Sequence, residues 1–403
     1  MNKITISKRG QTAPPSPIRM LVPLAEEAKK RGVKVYHLNI GQPDLLAPEG
    51  VAKKILSCRE KYLPYENSQG SSELIKSFQY YYNKINIHFN YEELLITSGA
   101  SEALIFILAA ICDPGDEVIV FEPFYANYLS FANLLNIKIV PVPLNAQKDY
   151  HLPKDQDIKS KINKNTKAII VNNPNNPTGT VLTEKEISRI CDLALTSNLF
   201  IISDEAYYGL SFGKNKCLSI YHVAHKNLHQ NIILVDSLSK KLNVCGARIG
   251  IIASKNMEIM KAVNRFAQAR LSVSTLDQSF ISNAVKNMSR YVGKLAHEYQ
   301  KRRDVFIETF KTESNLKIHQ PEGAFYVLIK LPIKDSDKFA EWLLTDFSNN
   351  GETVMVAPGS GFYATENSGK DEIRIAFVLK LKDLKRAAKL LAMAVKTYVS
   401  KNS

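Results

Sequence analysis

The segment around Lys240 combines phosphate-binding residue types with an amine that could react. Ser237-Leu238-Ser239-Lys240 follows an apolar run, and Gly246-Ala247-Arg248-Ile249-Gly250 comes shortly after it. Hydroxyls and a guanidinium can surround a phosphate, and a lysine amine held beside them can serve as a nucleophile. Most lysines are solvated surface residues, so the flanking Ser-x-Ser and Gly-x-Arg-x-Gly patterns are what distinguish Lys240.

A second candidate group lies at the end of the apolar run 199–202. Asp204 and Tyr207 follow this run closely. A carboxylate at the end of a buried strand is costly to ionise unless a cation or several hydrogen-bond donors meet it. The pattern therefore predicts a positively charged partner for Asp204, with a helix N-cap aspartate as the ordinary alternative.

Two other segments could present polar groups to a ligand. Residues 172–179 contain four asparagines and two prolines. This composition predicts a rigid loop that displays amide side chains. Gly99, Ala100 and Ser101 open a helix after another apolar run. Free backbone N–H groups and the helix dipole favour an anion at such a place, although a small-residue helix start alone is a weak indication.

The elements that must position these residues have the pattern of an α/β protein. Short Ile- and Val-rich runs alternate with helical stretches, as in a mostly parallel central sheet covered by helices. We predict strands over 117–121, 168–171, 199–202 and 232–235, and helices over 101–111 and 183–198. Because ligands gather at the carboxyl ends of parallel strands, the candidate residues should meet at one edge.

The pattern changes after a long helix predicted over 291–310. Strands are predicted over 323–329 and 373–378, and helices over 337–347 and 384–399. This alternation predicts a second, smaller α+β domain.

Composition narrows the classes of partner. Lys and Arg number 53 against 39 Asp and Glu, a net charge of +14, and 45% of the residues are hydrophobic. This apolar content predicts a folded core. The basic residues are not interleaved with aromatics as in a single-strand binding groove, so no nucleic-acid partner is predicted.

Membrane, redox and metal sites are not predicted either. No stretch approaches the ~18 apolar residues of a spanning helix, and the N-terminal segment has no apolar signal region. The five cysteines form no CxxC pair, which is typical of free cytoplasmic thiols. His222, His225 and His229 would share one face of a helix, but Lys226 lies among them and a solvated face is favoured over a metal site. We therefore predict a cytoplasmic protein.

Taken together, these motifs resemble the fold-type I pyridoxal-phosphate (PLP) enzymes. They match the class I/II aminotransferase family, which contains the aspartate aminotransferases, in the family's order and over roughly residues 15 to 395. The resemblance implies a large PLP-binding domain over 47–290 and a small domain formed by 1–46 and 291–403. It also implies a homodimer with shared active sites.

The resemblance assigns roles to the cofactor-binding residues. Lys240 would bind PLP covalently as a Schiff base and act as general acid and base, and Asp204 would face the pyridine nitrogen. Tyr65 would reach the phosphate of the other subunit. The other implied cofactor contacts are Gly99, Ala100, Ser101, Ser237, Ser239 and Arg248 at the phosphate, Asn176 and Tyr207 at the phenolic oxygen, and Tyr125 stacked on the ring.

The substrate side is assigned in the same way. Arg374, in Ile373-Arg374-Ile375-Ala376-Phe377, matches the arginine that clamps the α-carboxylate, and Gly41 and Asn176 match other contacts to the substrate. Some aspartate-specific members carry a lysine where this chain has Ser101. A distal carboxylate would then need another cation, for which Arg270 and Arg19 are the candidates.

The implied activity is a ping-pong transamination. The donor would be aspartate or another dicarboxylic or broad-range amino acid, and the acceptor a 2-oxo acid such as 2-oxoglutarate. Aminotransferases for aromatic amino acids and PLP-dependent carbon–sulfur β-lyases are the alternative enzymes. A noncatalytic regulator built on this domain is a third alternative, but the retained Lys240, Asp204 and Arg374 favour an active enzyme.

Overall fold

The computed structural model describes residues 4–57, 62–213 and 216–402. The strands in these ranges are β1 (Lys34–His37), β2 (Leu94–Thr97), β3 (Glu117–Glu122), β4 (Lys138–Pro143), β5 (Thr166–Asn172), β6 (Phe200–Asp204), β7 (Ile232–Ser237), β8 (Gly250–Ser254), β9 (Tyr326–Lys330), β10 (Glu352–Met355), β11 (Ala357–Pro358) and β12 (Glu372–Ala376). The helices are α1 (Lys8–Thr12), α2 (Val22–Lys30), α3 (Glu49–Leu56), α4 (Ser72–Lys84), α5 (Gly99–Ile111), α6 (Asn127–Leu135), α7 (Asp155–Lys159), α8 (Glu184–Thr196), α9 (Ile220–Val223), α10 (Leu238–Lys241), α11 (Met257–Arg270), α12 (Thr275–Lys286), α13 (Met288–Ser314), α14 (Ser336–Thr345) and α15 (Leu381–Asn402). None of the helices in the described ranges is long and apolar enough to cross a membrane.

A seven-stranded sheet forms the centre of the fold, in the order β2-β8-β7-β6-β5-β3-β4. The pairs from β7 to β4 are parallel, whereas β8 runs antiparallel to both β2 and β7. Strands β2, β3, β5, β6 and β7 therefore point in one direction and end at the same edge. The prediction of a mostly parallel central sheet is confirmed.

Alternate side chains of this sheet enter two apolar layers. Ile170 and Ile202 pack with residues of α5, α6 and α11 on one face. Ile169 and Ile201 pack with residues of α4 and α8 on the other face. Because both faces are covered by helices, the strands have the nearly continuous Ile and Val runs noted in the sequence.

Two smaller sheets lie outside the central one. Strand β1 pairs in parallel with β10, from Lys34 opposite Glu352 to His37 opposite Met355. Strands β11, β12 and β9 form an antiparallel sheet in that order. The segment after β1 and the strand β12 are adjacent, because the Ala376 N–H donates to the Leu38 carbonyl at 2.7 Å.

The structure also corrects several predicted element bounds. The strand predicted from residue 323 begins at Tyr326, and Gly323 instead forms an isolated bridge with Ser211. The three histidines do not share one helix, because α9 ends at Val223 and a separate 3₁₀ turn covers Lys226–Asn231. Helix α8 begins with a capping box, in which the Thr183 and Glu186 side chains each accept from the other's backbone N–H.

Candidate active site

The carboxyl ends of four strands bring most of the predicted site residues to one edge. Strand β2 leads into Gly99 at the start of α5, and β5 ends at Asn172, four residues before Asn176. Strands β6 and β7 end at Asp204 and Ser237. Parallel strands thus place side chains that are distant in the sequence beside one another, as predicted for an open α/β sheet.

Lys240 lies in the one-turn helix α10, which Ser237 caps by accepting a hydrogen bond from the Ser239 N–H at 3.2 Å. The Lys240 Nζ donates to the Gly41 carbonyl at 2.7 Å and lies 3.5 Å from the Cys245 Sγ. Among the described residues no carboxylate pairs with this amine. The amine is therefore held by a carbonyl hydrogen bond and by no opposing charge among these residues.

Asp204 is a buried carboxyl with hydrogen-bond donors but no ion-pair partner among the described residues. Its side chain is 4% exposed, and its oxygens accept from the Tyr128 hydroxyl at 2.7 Å and the Ala206 N–H at 3.2 Å. Burial raises the pKa of Asp204 to about 6, although the Tyr128 hydrogen bond opposes the shift. A cation brought to this carboxyl would favour its ionised form.

A cradle for an anion lies at the start of α5. The backbone N–H groups of the first turn have no partner within the helix, and Gly99 has a φ of +78°. A Cβ at Gly99 would overlap the Arg248 guanidinium, so only glycine allows this close approach. Arg248 donates to the carbonyls of Cys245 and Ser98 at 3.2 and 3.4 Å, and no described carboxylate neutralises its charge.

Arg374 is a buried guanidinium that also lacks an acidic partner in the described part of the chain. It is 1% exposed, and it donates to the Asn176 Oδ1 at 3.1 Å and to the Asn39 carbonyl. Its Nε has no hydrogen-bond partner, and burial lowers its pKa. A buried cation with an unsatisfied donor is suited to binding an anionic ligand.

Aromatic side chains enclose this arginine. The guanidinium carbon lies 4.4 Å from the centre of the Tyr326 ring and 4.9 Å from that of Phe362. The hydroxyls of Tyr326 and Tyr207 are 2.9 Å apart. A Cβ at Gly41 would overlap the Tyr326 hydroxyl. Only glycine therefore fits at position 41.

Tyr125 and Ser101 lie together beside Asp204. The Tyr125 ring packs edge-on against Tyr128 with centroids 5.5 Å apart. Burial raises the pKa of Tyr125 to about 12, while a hydrogen bond with Ser101 opposes the shift. Both residues are thus placed within the group that the sequence predicted.

Three predicted residues lie outside this group in the single chain. The Tyr65 side chain is 81% exposed, and Arg19 is exposed in the turn before α2. The Arg270 side chain contacts residues of its own chain. Its Nε lies 3.4 Å from the Glu102 Oε1, and its Nη2 donates to the Ile96 carbonyl at 3.2 Å. Their assigned roles stay predictions.

The sequence interpretation missed three residues that contact the predicted ones. Tyr128 bonds Asp204, Asn39 accepts from Arg374, and Tyr326 lies against Gly41. Tyr128 follows Tyr125 by one helical turn, a spacing that could have indicated a second aromatic at the site. Asn39 and Tyr326 act through a backbone oxygen and a ring face, which residue types and spacing do not reveal.

This arrangement of a free lysine, a buried aspartate and two unneutralised arginines on a fold-type I scaffold defines a class of enzyme. Residues 33–391 match the family of class I and II aminotransferases, and the chain belongs to this family. It is a PLP-dependent transaminase, as the motif around Lys240 predicted.

Individual relatives agree with this assignment over almost their whole length. The probable aspartate/prephenate aminotransferase of Aquifex aeolicus is 31% identical over 360 residues, which are 87% of this chain and 89% of that protein. A structure of the Thermus thermophilus aspartate aminotransferase with maleate superimposes with a TM-score of 0.87 at 28% identity, over 97% of this chain and 100% of that one. The alanine aminotransferase of Pyrococcus furiosus gives a TM-score of 0.88 at 28% identity, over 98% and 100% of the two chains.

The charges of the site residues fit PLP. The phosphate would meet Arg248, the first turn of α5 and the hydroxyls of Ser237 and Ser239. The pyridine nitrogen would supply the ion-pair partner that Asp204 lacks among the described residues. Lys240 is the amine free to bind the cofactor covalently.

Proposed function

We propose that this transaminase takes its amino group from aspartate or another dicarboxylic amino acid and passes it to a 2-oxo acid such as 2-oxoglutarate. Arg374 is the main evidence for binding of a substrate carboxylate. It is a buried guanidinium with no acidic partner among the described residues, and its Nε has no hydrogen-bond partner there. A substrate α-carboxylate would satisfy it in the bidentate geometry that arginine prefers.

The site residues would act in a defined order. PLP, when bound, supplies an electron-accepting ring that acidifies the Cα–H of the attached amino acid. Arg374 and Asn176 would fix the α-carboxylate, which orients the Cα–H toward Lys240. The Lys240 Nζ, released from its place beside the Gly41 carbonyl, would take the Cα proton and return a proton later in the reaction. Asp204 would keep the pyridine nitrogen protonated.

The choice of a dicarboxylic donor depends on a second cation. Arg270 is half-buried, and its Nε and Nη1 have no hydrogen-bond partner although Glu102 lies close by. Movement away from Glu102 would make this guanidinium available to a distal carboxylate. Arg19 is the other candidate, and its neighbour Ile18 accepts a hydrogen bond from the Asn39 amide at 2.9 Å.

Monocarboxylic donors such as alanine form the second candidate class. The pairing of Arg270 with Glu102 within one chain favours them, because it leaves Arg270 partly neutralised. Initial rates with aspartate, glutamate, alanine and an aromatic amino acid, each with 2-oxoglutarate as acceptor, separate the two classes. A kcat/KM for alanine above those for aspartate and glutamate would refute the dicarboxylic proposal.

The role of Lys240 has a direct test. We expect the purified protein to be yellow and Lys240→Ala to lose the absorbance that borohydride bleaches, whereas the exposed Lys185→Ala should keep it. An unchanged spectrum in Lys240→Ala would contradict the assignment. Release of pyruvate from cystathionine without amino transfer would instead indicate a β-lyase.

We also propose that the enzyme is a homodimer whose sites share residues. Several leucines are exposed, namely Leu46, Leu56, Leu63 and Leu271, which are 51–88% exposed. Residues 62–66 lie beside 271–275, because the Thr275 hydroxyl donates to the Pro64 carbonyl at 2.9 Å. Such a surface suits a second copy of the chain.

Subunit complementation tests the shared site. Lys240→Ala and Tyr65→Ala should each have low activity alone, and refolding them together should restore activity in mixed dimers. One site of the mixed dimer would then combine an intact Lys240 with an intact Tyr65 from the other subunit. Recovery no greater than the sum of the separate variants would refute the sharing of Tyr65. The predicted domain bounds and cytoplasmic location remain predictions.

A further inference from the structure

The ion pair between Asp236 and Lys241 stands apart from every other in the described residues. The Lys241 Nζ lies 2.6 Å from the Asp236 Oδ2, and the side chains are 0% and 1% exposed. No other described ion pair has both members so completely buried. Neither residue belongs to the cofactor or substrate contacts proposed above.

Each charge of this pair has further partners. The Ser237 N–H donates to the Asp236 Oδ1 at 2.5 Å, and the Tyr82 hydroxyl of α4 donates to the Oδ2 at 3.3 Å. The Lys241 Nζ lies 5.0 and 5.7 Å from the ring centres of Tyr208 and Tyr81. Asp236 and Lys241 are therefore bound from β7, α4 and the segment after β6.

The pair brackets the reactive lysine in the sequence. Asp236 is the penultimate residue of β7, Lys241 is the last residue of α10, and Lys240 lies between them. Consecutive helical residues point about 100° apart, so Lys241 enters the core while Lys240 faces the site. The four-residue α10 is too short to be stable by itself, and its position must come from contacts such as this one.

We propose that the Asp236–Lys241 pair is a positioning device that fixes α10 and thereby the location of the Lys240 Nζ. A buried ion pair adds little net stability, since the cost of removing both charges from water offsets their attraction. Its effect is to tie the end of α10 to the end of β7 in one geometry. A displacement of about 1 Å at a reacting group can lower a rate about a hundredfold.

The inference rests on the proposed role of Lys240, so the test separates the two. The main variant, Asp236→Leu/Lys241→Met, replaces the pair with apolar side chains of similar size. Asp236→Glu is a second variant, which keeps both charges and lengthens one side of the pair by a methylene. Lys255→Met is the control, because Lys255 forms a 2.7 Å pair with Glu93 at the ends of β8 and β2 that lie away from the site.

Three readouts on the holoenzymes distinguish positioning from stability. The first is the melting temperature. The second is steady-state kinetics, which gives kcat, KM and the inhibition constant of maleate. The third is the pH titration of the cofactor absorbance. We expect the double variant to stay folded but to melt at a lower temperature than the wild type, because the Ser237 N–H and the Tyr82 hydroxyl lose their acceptor. Its kcat should fall at least about tenfold, its affinity for maleate should stay within about threefold, and the midpoint of its absorbance titration should shift. Lys255→Met should match the wild type.

Several results would overturn the proposal. A folded double variant with wild-type kcat and titration would show that the pair does not position Lys240. Equal losses in kcat and in maleate affinity would indicate a general distortion of the site. If the double variant does not fold, Asp236→Glu decides, and wild-type turnover in it refutes the positioning role. Borohydride labelling of a lysine other than Lys240 in the wild type would instead contradict the proposed function.

Discussion

Asp204→Asn should make the cofactor-free protein more stable at neutral pH, although it should damage the enzyme. The folded protein raises the pKa of Asp204 to about 6, chiefly because the carboxyl is buried. In an unfolded chain the same group titrates near about 3.9. The folded state therefore binds the proton more tightly, and ionising Asp204 reduces the free energy of unfolding.

The size and sign of the effect follow from these two pKa values. The difference is about two units, and each unit is worth about 1.36 kcal/mol, so the full loss is about 3 kcal/mol. It is absent below about pH 4, grows between about pH 4 and 6, and is complete above that range. Asparagine carries no charge at any of these values. The advantage of Asp204→Asn should thus increase by about 3 kcal/mol between pH 4 and pH 8.

Urea unfolding of the cofactor-free proteins across this pH range measures the difference directly. Asp192→Asn is the matched control, because Asp192 is exposed on α8, and its difference from the wild type should stay flat. Added PLP should stabilise the wild type more than Asp204→Asn, since its ring nitrogen would supply the missing cation. A pH-independent difference between wild type and Asp204→Asn would refute this reasoning.

Other substitutions test the substrate side of the site. Arg374→Lys keeps the charge but loses the planar two-point donor. It should lower kcat/KM for every amino acid about 30-fold or more. A smaller loss would indicate that the arginine acts only as a point charge. Gly41→Ala should weaken substrate binding by displacing Tyr326, with circular dichroism confirming an intact fold. Arg270→Ala should reduce kcat/KM for aspartate at least about tenfold more than for alanine. Arg265→Ala, an exposed position on the same helix, is the control. Equal losses with the two substrates would show that Arg270 has only a structural role.

The central sheet was predictable because its signal is local. The runs at 168–171 and 232–235 are apolar, rich in Ile and Val, and end in polar residues, and each lies within a strand of the structure. The β-strand that contains Arg374 was harder to delimit, because apolar residues continue past Ala376, where pairing stops. Pairing between β1 and β10 had no local signal at all, since it joins opposite ends of the chain.

The site was predictable where a residue type has a specific chemical task. Lys240 and Asp204 were found from their flanking residues and from the cost of burying a charge. The Asp236–Lys241 pair was not found, because two adjacent lysines look alike in a sequence and only the helix geometry directs one of them into the core. The orientation of Arg270 toward Glu102 likewise depends on how α11 packs against α5.

The pairing of β1 with β10 has a consequence for biosynthesis. Tyr36 of β1 bonds Glu352 through their side chains at 2.6 Å, 316 residues further along the chain. At about 5 to 20 residues per second, a ribosome needs roughly 15 to 60 s to make the intervening chain. During that interval the segment that carries Asn39 and Gly41 has no strand to pair with. A nascent chain can therefore form its central sheet well before it can recognise a substrate.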